Sequence, residues 1–261
     1  MSHGSSLTTY PPHSVTVSIV VHRQWALARP LIEQLDRYCH ASIAKVVLTL
    51  NLPEALDIDC HWRFPVDVIE NSKPKGFGAN HNGAFAHCNT EWFLVLNPDI
   101  RFDDDAIGAM LSRAAPDAGL MAPRIQEPGK PQMEPHRGLL TPLELLRRRR
   151  PGYQSPQEPA WVAGMCMLVR ARAFTQVAGF DQRYFMYCED FDLCARLRIG
   201  GWRIQIDEAT VVLHLAQRAS NRSLQPLLWH LRSFAKVWTS AAFWRFRRCL
   251  RSEGTPTLNK G

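Results

Sequence analysis

Four short apolar runs, each of which stops at a polar residue, constrain the fold of this 261-residue chain more than any other feature. The runs are rich in β-branched residues and occupy residues 14–21, 45–50, 66–70 and 91–96. Runs of this length predict strands, and a segment with helical spacing of its leucines follows the first of them at residues 27–39. Strands that alternate with helices predict an α/β fold in which helices flank a mostly parallel sheet.

The residues at the ends of these strands are polar. The carboxyl ends of parallel strands meet at one edge of a sheet, where ligands bind in folds of this class. The side chains that the prediction places there are His22, Asn51, Asn71, Asn97 and Asp99. We therefore expect one polar crevice, although asparagine is also a common turn residue and each position alone has that alternative explanation.

Composition and patterning divide the chain into one domain and two terminal segments. A content of 46% hydrophobic residues is enough to bury a core in a single large domain, which we place at residues 14–222. Residues 1–13 are predicted to be a disordered leader, and residues 123–159, which are rich in proline, glycine and charge, a long flexible excursion. Apolar residues at three- and four-residue steps predict a C-terminal amphipathic basic helix and tail at residues 223–261.

Charge and cysteine content limit the compartment and the partners. The formal charge is +7, and clusters of arginine at residues 147–150 and near the C-terminus indicate either contact with an anionic surface or a solvated basic face. The seven cysteines form no C-x-x-C pair, as expected for free thiols in the cytoplasm. No run reaches the ~18 apolar residues of a membrane span, so we expect any membrane contact to be peripheral, at the inner face of the cell membrane.

Asp99 stands at the end of the fourth predicted strand, in the sequence FLVLNPDI. One carboxylate at a strand end suits Mg²⁺, which takes one or two protein carboxylates and completes its shell with phosphate oxygens and water. The alternative is that Asp99 only caps the following turn. For the three acids at residues 103–105 we favour that capping explanation, because acids stabilise the first turn of a helix.

The segment NSKPKGFGANHNGAF, residues 71–85, combines close glycines with asparagines at the start of a predicted helix. Glycine lets a backbone approach a ligand, and a helix N-terminus binds phosphate, so Gly76, Asn80 and Asn82 are candidates for nucleotide binding. The segment matches neither a P-loop nor a dinucleotide fingerprint. An ordinary turn into a helix is an equal alternative.

Two further candidates lie near the end of the domain. Glu189 and Asp190 precede a helical run in an aromatic neighbourhood, where a carboxylate keeps a usable proton affinity and can act as a general base, although one of them could simply cap the helix. His214 ends a strand, a position that is more often structural than ligating. The basic loop that follows His214 contains Arg218, which suits a diphosphate.

Six blocks taken in order resemble glycosyltransferase family 2, and within it the bacterial rhamnosyltransferase-like branch. They are VSIVV, GFGANHNGA, LVLNPDI, WVAGMCMLVRARAF, GFDQRYFMYCEDFDLCARLRIGGW and VVLH, and the resemblance covers roughly residues 14–240. It implies a GT-A fold with a Rossmann-like sheet. It also implies an inverting enzyme that transfers a sugar from a nucleotide donor with Mg²⁺ or Mn²⁺.

The resemblance implies a role for each matching residue. Asp99 matches the last acid of the family's D-x-D metal motif, with Asn97 in place of the first acid, and His214 matches a strand-end histidine near metal or diphosphate. Glu189 and Asp190 match the family's E-D pair, of which we assign Asp190 as the base, with Glu189 as the alternative. The residues we assign to substrate binding are Asn51, Asn71, Gly76, Asn80, Asn82, Asn97, Gly164, Asp192 and Arg218.

One departure from the family concerns recognition of the nucleotide base. After its first strand the family often has Pro-Thr-Tyr-Asn, whereas HRQW occupies residues 22–25 here. The resemblance therefore favours rhamnose as the sugar but leaves a dTDP- or UDP-sugar as the donor. The expected acceptor is a glycan or a polyprenyl-linked saccharide in cell-surface polysaccharide synthesis, and the oligomeric state stays open.

Three other functions fit the sequence less well than a glycosyltransferase does. A sugar-nucleotide nucleotidyltransferase would need a glycine-rich basic loop after the first strand, which VVHRQWALARP lacks. A nucleic-acid binder fits the net charge, but the acids at the strand ends would repel phosphate unless a cation intervened, so we expect no nucleic acid. An inactive binding protein is disfavoured because Asp99, Glu189 and Asp190 are all present.

Overall fold

The computed structural model describes residues 13–57, 61–150, 152–216 and 225–253. Within these ranges eight strands form one sheet with helices on both faces. The predicted leader, apart from His13, the end of the predicted tail and Arg218 lie outside the described residues.

The strands confirm the α/β prediction. The first four begin and end within two residues of the runs predicted from hydrophobicity. The strands are β1 Val15–Val21, β2 Ile43–Leu50, β3 Val66–Glu70, β4 Trp92–Leu96, β5 Ile100–Arg101, β6 Ala118–Gln126, β7 Cys166–Arg170 and β8 Arg203–His214. Their order in the sheet is β3-β2-β1-β4-β7-β6-β8-β5.

The sheet changes direction at its centre. The half formed by β3, β2, β1 and β4 is parallel, as the sequence predicts. β7 then pairs antiparallel with both β4 and β6, β6 and β8 are parallel, and β5 is antiparallel to β8. Because β7 runs against its neighbours, the residues that precede it lie at the same edge of the sheet as the carboxyl ends of β1, β2, β4 and β8.

Strand β4 shows why a short apolar run identifies the centre of this sheet. Trp92, Leu94 and Leu96 pack into the hydrophobic core on one face, and Phe93 and Val95 pack into the core on the other. All five are fully buried. A strand that is covered on both faces must be apolar at every position, and its first polar residue therefore marks the edge of the sheet.

The helices cover the two faces. They are α1 Trp25–Gln34, which continues as a π-helical turn over Leu35–Cys39, α2 Phe77–Phe85, α3 Ala106–Ser112, α4 Pro142–Arg147, α5 Ala171–Gln176, α6 Glu189–Ile199, α7 Gln225–Thr239 and α8 Ala241–Glu253. Asp105 accepts a hydrogen bond from the Gly108 backbone N–H and caps α3, which confirms the capping explanation for that acid.

The C-terminal amphipathic segment forms two helices where the sequence predicted one. Ser240 separates α7 from α8, and its hydroxyl donates to the Val237 carbonyl and accepts from the Phe243 N–H, so that it caps the second helix. Phe243 and Phe246 of α8 are buried against α6. No helix that the structure describes is both long and apolar enough to span a bilayer.

The predicted excursion at residues 123–159 contains regular structure in part. Residues 123–126 belong to β6, and Thr141 caps helix α4 by accepting a hydrogen bond from the Glu144 N–H. Arg137 and Trp161 form an isolated antiparallel bridge that closes the excursion at its base. The flexibility of the remainder stays a prediction.

Candidate active site

A cavity of about 820 Å³ lies at the carboxyl edge of the parallel half of the sheet. Its walls come from strand ends β1, β2 and β4, the start of α2, the segment before β7, the start of α6 and helix α7. Its polar and aromatic lining residues are His22, Gln24, Asn51, Lys75, Phe77, Asn80, His81, Asn97, Asp99, Phe185, Tyr187, Glu189, Asp190 and Trp229. The polar crevice predicted from the strand ends is therefore present.

Three buried asparagines form one wall, which we call the donor side. The Asn71 amide nitrogen donates to the side-chain oxygens of Asn51, at 3.1 Å, and of Asn80, at 2.6 Å. Asn51 also holds the loop before α2, because its oxygen accepts from the Lys75 N–H at 2.8 Å and its nitrogen donates to the Lys75 carbonyl at 3.0 Å. Asn51 and Asn80 line the cavity, whereas Asn71 lies behind them and fixes their orientation.

Gly76 and Asn82, which we predicted to bind substrate, instead connect α2 to the chain that leads to the acid pair. A Cβ at Gly76 would lie 2.5 Å from the Phe185 carbonyl oxygen, so only glycine permits this approach. The Asn82 side chain makes two hydrogen bonds to the Phe180 backbone, donating to its carbonyl at 2.8 Å and accepting from its N–H at 2.9 Å. Neither residue is among those that line the cavity.

Asp99 and His214 meet because β5 pairs antiparallel with the end of β8. Ile100 lies opposite His214, and the Leu215 N–H donates to the Asp99 carbonyl. Nε2 of His214 is 3.2 Å from Oδ2 of Asp99, and its Nδ1 is 3.9 Å from Oε1 of Glu127. Burial disfavours the His214 imidazolium, but the hydrogen bond to Asp99 and the charges of Asp99 and Glu127 outweigh burial and raise the pKa of His214.

The pair of Asp99 and His214 fits a divalent cation. One carboxylate and one imidazole suit Mn²⁺ and are compatible with Mg²⁺ when a diphosphate and water supply the remaining ligands. Among the residues that the structure describes, no group of three or more histidines, cysteines or acids is arranged to hold a metal by itself. Asn97 lines the cavity beside Asp99.

Glu189 and Asp190 lie opposite, at the first turn of α6, on the wall that we call the acceptor side. Oδ2 of Asp190 accepts from the Gly164 N–H at 3.2 Å, and its Oδ1 accepts from the Phe191 N–H at 2.7 Å. Oε2 of Glu189 is buried and has no hydrogen-bond partner among the described residues. Tyr187 and Cys188, which precede the pair, both have a left-handed backbone, with φ of 70° and 69°. Such strain in residues with side chains is typical of functional sites.

The surroundings of Glu189 and Asp190 act differently on the pKa values of the two carboxyl groups. Burial, and then the charge of Asp190, raise the pKa of Glu189 to about 8. Burial also raises the pKa of Asp190. The charge of Arg137 opposes that rise, and so do the hydrogen bonds that the Asp190 carboxylate accepts from the Gly164 and Phe191 N–H groups. Glu189 therefore favours its protonated form near neutral pH, whereas Asp190 has the contacts that oppose its protonation.

Asp192, a predicted substrate-binding residue, is not brought to the cavity. Its carboxylate is buried and accepts a hydrogen bond from Nε of Arg196 at 2.7 Å, one helical turn further along α6. The Arg196 side chain also donates to the Val177 carbonyl. Asp192 thus joins α6 to the end of α5, while Gly164 lines the cavity as predicted.

Several residues of the site are not among those predicted from the sequence, and His81, Arg137 and Trp229 are three of them. His81 is buried in the donor side, with Nδ1 2.8 Å from the Ser18 hydroxyl, and burial lowers its pKa to about 3. Arg137 comes from the predicted excursion and lies over the Trp161 ring, with Cζ 4.6 Å from the ring centroid. Trp229 comes from α7. In the sequence, His81 stands where a dinucleotide fingerprint requires glycine, and Trp229 belongs to an aromatic, basic helical segment, but neither pattern predicts a place in the cavity.

Comparison with known proteins gives the same family at the level of sequence and a GT-A fold at the level of structure. A model of Glycosyl transferase family 2 matches residues 49–177. An N-acetylglucosaminyl-diphospho-decaprenol L-rhamnosyltransferase of Mycobacterium tuberculosis (strain ATCC 25618 / H37Rv) is 34% identical over 163 residues, which are 55% of this chain and 53% of that protein. Rhamnosyltransferase WbbL of Escherichia coli (strain K12) is 49% identical over 75 residues, or 28% of each chain.

The structural comparison supports the fold alone. A mannosyltransferase from Pyrobaculum calidifontis, solved in complex with GDP-Man and Mn²⁺, superposes with a TM-score of 0.59 over 94% of this chain and 75% of its own, at 13% identity. The similarity confirms the predicted GT-A fold. The chain spans about half the length, or less, of the curated relatives just described.

Proposed function

Because residues 49–177 belong to glycosyl transferase family 2, we propose that this chain is an inverting glycosyltransferase. It moves a sugar, for which the names of its relatives favour rhamnose, from a nucleoside-diphosphate donor to a hydroxyl of a lipid-linked saccharide. One observation carries the proposal: Asp99 on the donor side and Asp190 on the acceptor side line the same cavity. A diphosphate site and a general base can therefore act on one substrate pair.

The donor side binds the nucleotide. The asparagine network places Asn51 and Asn80 rigidly at the cavity wall, and Asp99 with His214 would hold Mg²⁺ or Mn²⁺ at the donor diphosphate. When it is bound, the cation neutralises charge on the departing diphosphate. The donor is a dTDP- or UDP-sugar in this proposal, with His22 and Gln24 on the cavity wall as candidates for contact with the base.

The acceptor side moves the proton. The acceptor oxygen forms a bond to the anomeric carbon while the bond from that carbon to the diphosphate oxygen breaks, and Asp190 takes the hydroxyl proton. Single displacement inverts the anomeric carbon and forms no covalent enzyme intermediate. The Gly164 and Phe191 N–H groups orient Asp190, and protonated Glu189 avoids a second negative charge beside it.

The chain acts at the cytoplasmic face of the cell membrane in this proposal. Trp244 of α8 is exposed beside a basic helix face that includes Arg245 and Arg248, an arrangement that suits peripheral contact with anionic lipid. Flotation with phosphatidylglycerol liposomes tests this contact. Trp244→Ser combined with Arg248→Gln is expected to reduce the floated fraction, and an unchanged fraction would argue against it.

A donor screen with Asp190→Asn tests the catalytic proposal. The wild-type protein is assayed with dTDP-, UDP- and GDP-sugars and a lipid-linked N-acetylglucosamine acceptor, with and without Mg²⁺ or Mn²⁺. We expect Asp190→Asn to lower kcat about 100- to 10,000-fold, because it removes the base, while donor binding measured by calorimetry is retained. Asp103→Asn, an exposed acid outside the cavity, is the matched control. Wild-type turnover in Asp190→Asn would exclude the assigned base.

A further inference from the structure

A second groove lies directly beside the active-site cavity. Its volume is about 390 Å³, and it is lined by Phe185, Met186, Trp229, Arg232, Ser233 and Lys236. The first three of these residues also line the main cavity. The groove and the active-site cavity therefore share a wall.

That layer is held firmly in place. The rings of Phe185 and Trp229 are in contact, with centroids 5.3 Å apart. Helix α7 is fixed to the same segment, because the Ser233 hydroxyl donates to the Met186 carbonyl at 2.9 Å and His230 stacks on Tyr187 at 3.6 Å. The groove thus keeps a constant position relative to Glu189 and Asp190, which follow two and three residues after Tyr187.

The far wall of the groove is positively charged. Arg232 and Lys236 lie one helical turn apart on α7, and both are exposed. The Lys236 ammonium donates to the Arg183 carbonyl at the groove's edge, which leaves two further N–H donors. Within the part of the chain that the structure describes, no carboxylate lines the groove. Two adjacent cations without an acid between them fit a phosphate or diphosphate group.

An apolar strip lies on the same helix and adjoins the cations at Leu228, one helical turn before Arg232. Leu227, Leu228 and Leu231 precede Arg232 by one to five residues, and 51–57% of each is exposed. Exposed leucines in such a cluster mark an interaction surface more often than a solvated one. The strip and the cations together form a surface that is apolar at one end and positively charged at the other.

We propose that this groove binds the prenyl diphosphate of the acceptor, with the diphosphate at Arg232 and Lys236 and the first isoprenoid units on the leucine strip. The inference rests on the proposed function, which requires a lipid-linked acceptor. If the accepting hydroxyl is on the sugar joined to the diphosphate, that diphosphate must lie one sugar ring away from Asp190. The groove suits this requirement, since it shares Phe185, Met186 and Trp229 with the catalytic cavity and carries the complementary charge.

Acceptor kinetics test the proposal in the full-length protein. We expect Arg232→Gln with Lys236→Gln to raise KM for a prenyl-diphosphate-linked N-acetylglucosamine at least tenfold, because charge-assisted bonds to the diphosphate are lost. KM for the donor, and for a simple alkyl N-acetylglucosaminide without diphosphate, should not change. Arg172→Gln with Arg203→Gln makes the same change in charge at the opposite edge of the sheet and should leave all three constants unchanged. The single variant Arg232→Gln keeps the Lys236 contact to the Arg183 carbonyl, so it separates the loss of charge from the loss of that contact. A similar rise in KM for both acceptors would overturn the proposal.

Direct binding separates this inference from the proposed function, because it needs no turnover. Farnesyl diphosphate, farnesol and inorganic diphosphate are titrated by calorimetry in EDTA, so that no cation at Asp99 and His214 can hold a diphosphate. We expect the wild type to bind farnesyl diphosphate. The charge variant, Arg232→Gln with Lys236→Gln, should bind it at least tenfold more weakly. Leu228→Ser with Leu231→Ser should weaken the binding of farnesyl diphosphate but not that of inorganic diphosphate.

If farnesyl diphosphate binds the charge variant as tightly as the wild type, the groove is not its site, even if transfer activity is present. If binding follows the proposal while no donor is turned over, only the proposed function fails.

Discussion

On the donor side of the cavity three buried asparagines satisfy one another and the Lys75 backbone. On the acceptor side, by contrast, a buried Glu189 oxygen has no hydrogen-bond partner in the described ranges, and two left-handed residues precede the acid pair. The first arrangement is suited to holding a ligand in one orientation, because the asparagine side chains are already fixed by hydrogen bonds. The second raises carboxyl pKa values and so retains a proton that can move. The contrast indicates that the two walls divide the work of positioning and proton transfer.

Apart from Asp190→Asn, the largest expected effect comes from removing the charge on the donor side. Asp99→Asn should lower kcat with Mg²⁺ or Mn²⁺ on the order of 100- to 1000-fold, because the cation site loses its carboxylate and the developing charge on the diphosphate is less stabilised. Asp103→Asn again serves as the control. If donor turnover in Asp99→Asn equals that of the wild type at every metal concentration, Asp99 is not the ligand.

A smaller effect should appear in the pH dependence of stability on the acceptor side. Between the ordinary pKa of 4.5 and the folded value of about 8, the folded chain keeps a proton on Glu189 that the unfolded chain has released. Stability contributed by this group is therefore full below pH 4.5 and is lost as pH rises toward 8. Glu189→Gln cannot ionise, so its free energy of unfolding should exceed that of the wild type by a growing margin, up to a few kcal/mol by pH 8.

Urea unfolding at several pH values between 5 and 8 measures this margin. The exposed Glu70→Gln variant should follow the wild type throughout. A constant difference between Glu189→Gln and the wild type over the whole range would mean that Glu189 is ionised in the folded protein, and the division of work between the two walls would then lose its support.

Disruption of the asparagine network should cost about 2 kcal/mol. Asn71→Ala removes the donor to both Asn51 and Asn80 and leaves the Asn80 oxygen buried without it. We expect a lower free energy of unfolding in urea and a higher donor KM, with acceptor KM unchanged. Asn89→Ala, at an exposed position in the turn before β4, is the control. An increase in acceptor KM of the same size would show that the two walls are not independent.

The smallest expected effect is on the free energy of unfolding, and it comes from Ser240 at the junction between α7 and α8. Ser240→Ala removes the cap of α8 and should lower the free energy of unfolding by about 1 kcal/mol, as for other helix caps. Ser252→Ala, near the exposed end of α8, should change it by much less. Thermal or urea unfolding compares the two, and equal losses would mean that the Ser240 cap contributes nothing specific.

Much of the fold and part of the site could be predicted from local patterns. The four initial strands, the polar crevice at their ends, the capping role of Asp105 and the acid-headed helix α6 all follow from the spacing of apolar residues and from the chemistry of helix ends. These features depend on residues within a few positions of one another. Local sequence therefore contains the physical information that decides them.

The use of each polar side chain was decided by tertiary structure. Asn80 and Asn82 stand two residues apart on α2, yet Asn80 faces the cavity while Asn82 bonds to Phe180, 98 residues away in the chain. Asp190 and Asp192 are also two residues apart, and helical geometry turns them in different directions. Asp190 lines the cavity, whereas Asp192 is buried and bonds to Arg196. A hydrogen-bonding group has several suitable partners along any chain, and only the packing of distant segments brings one of them within 3 Å.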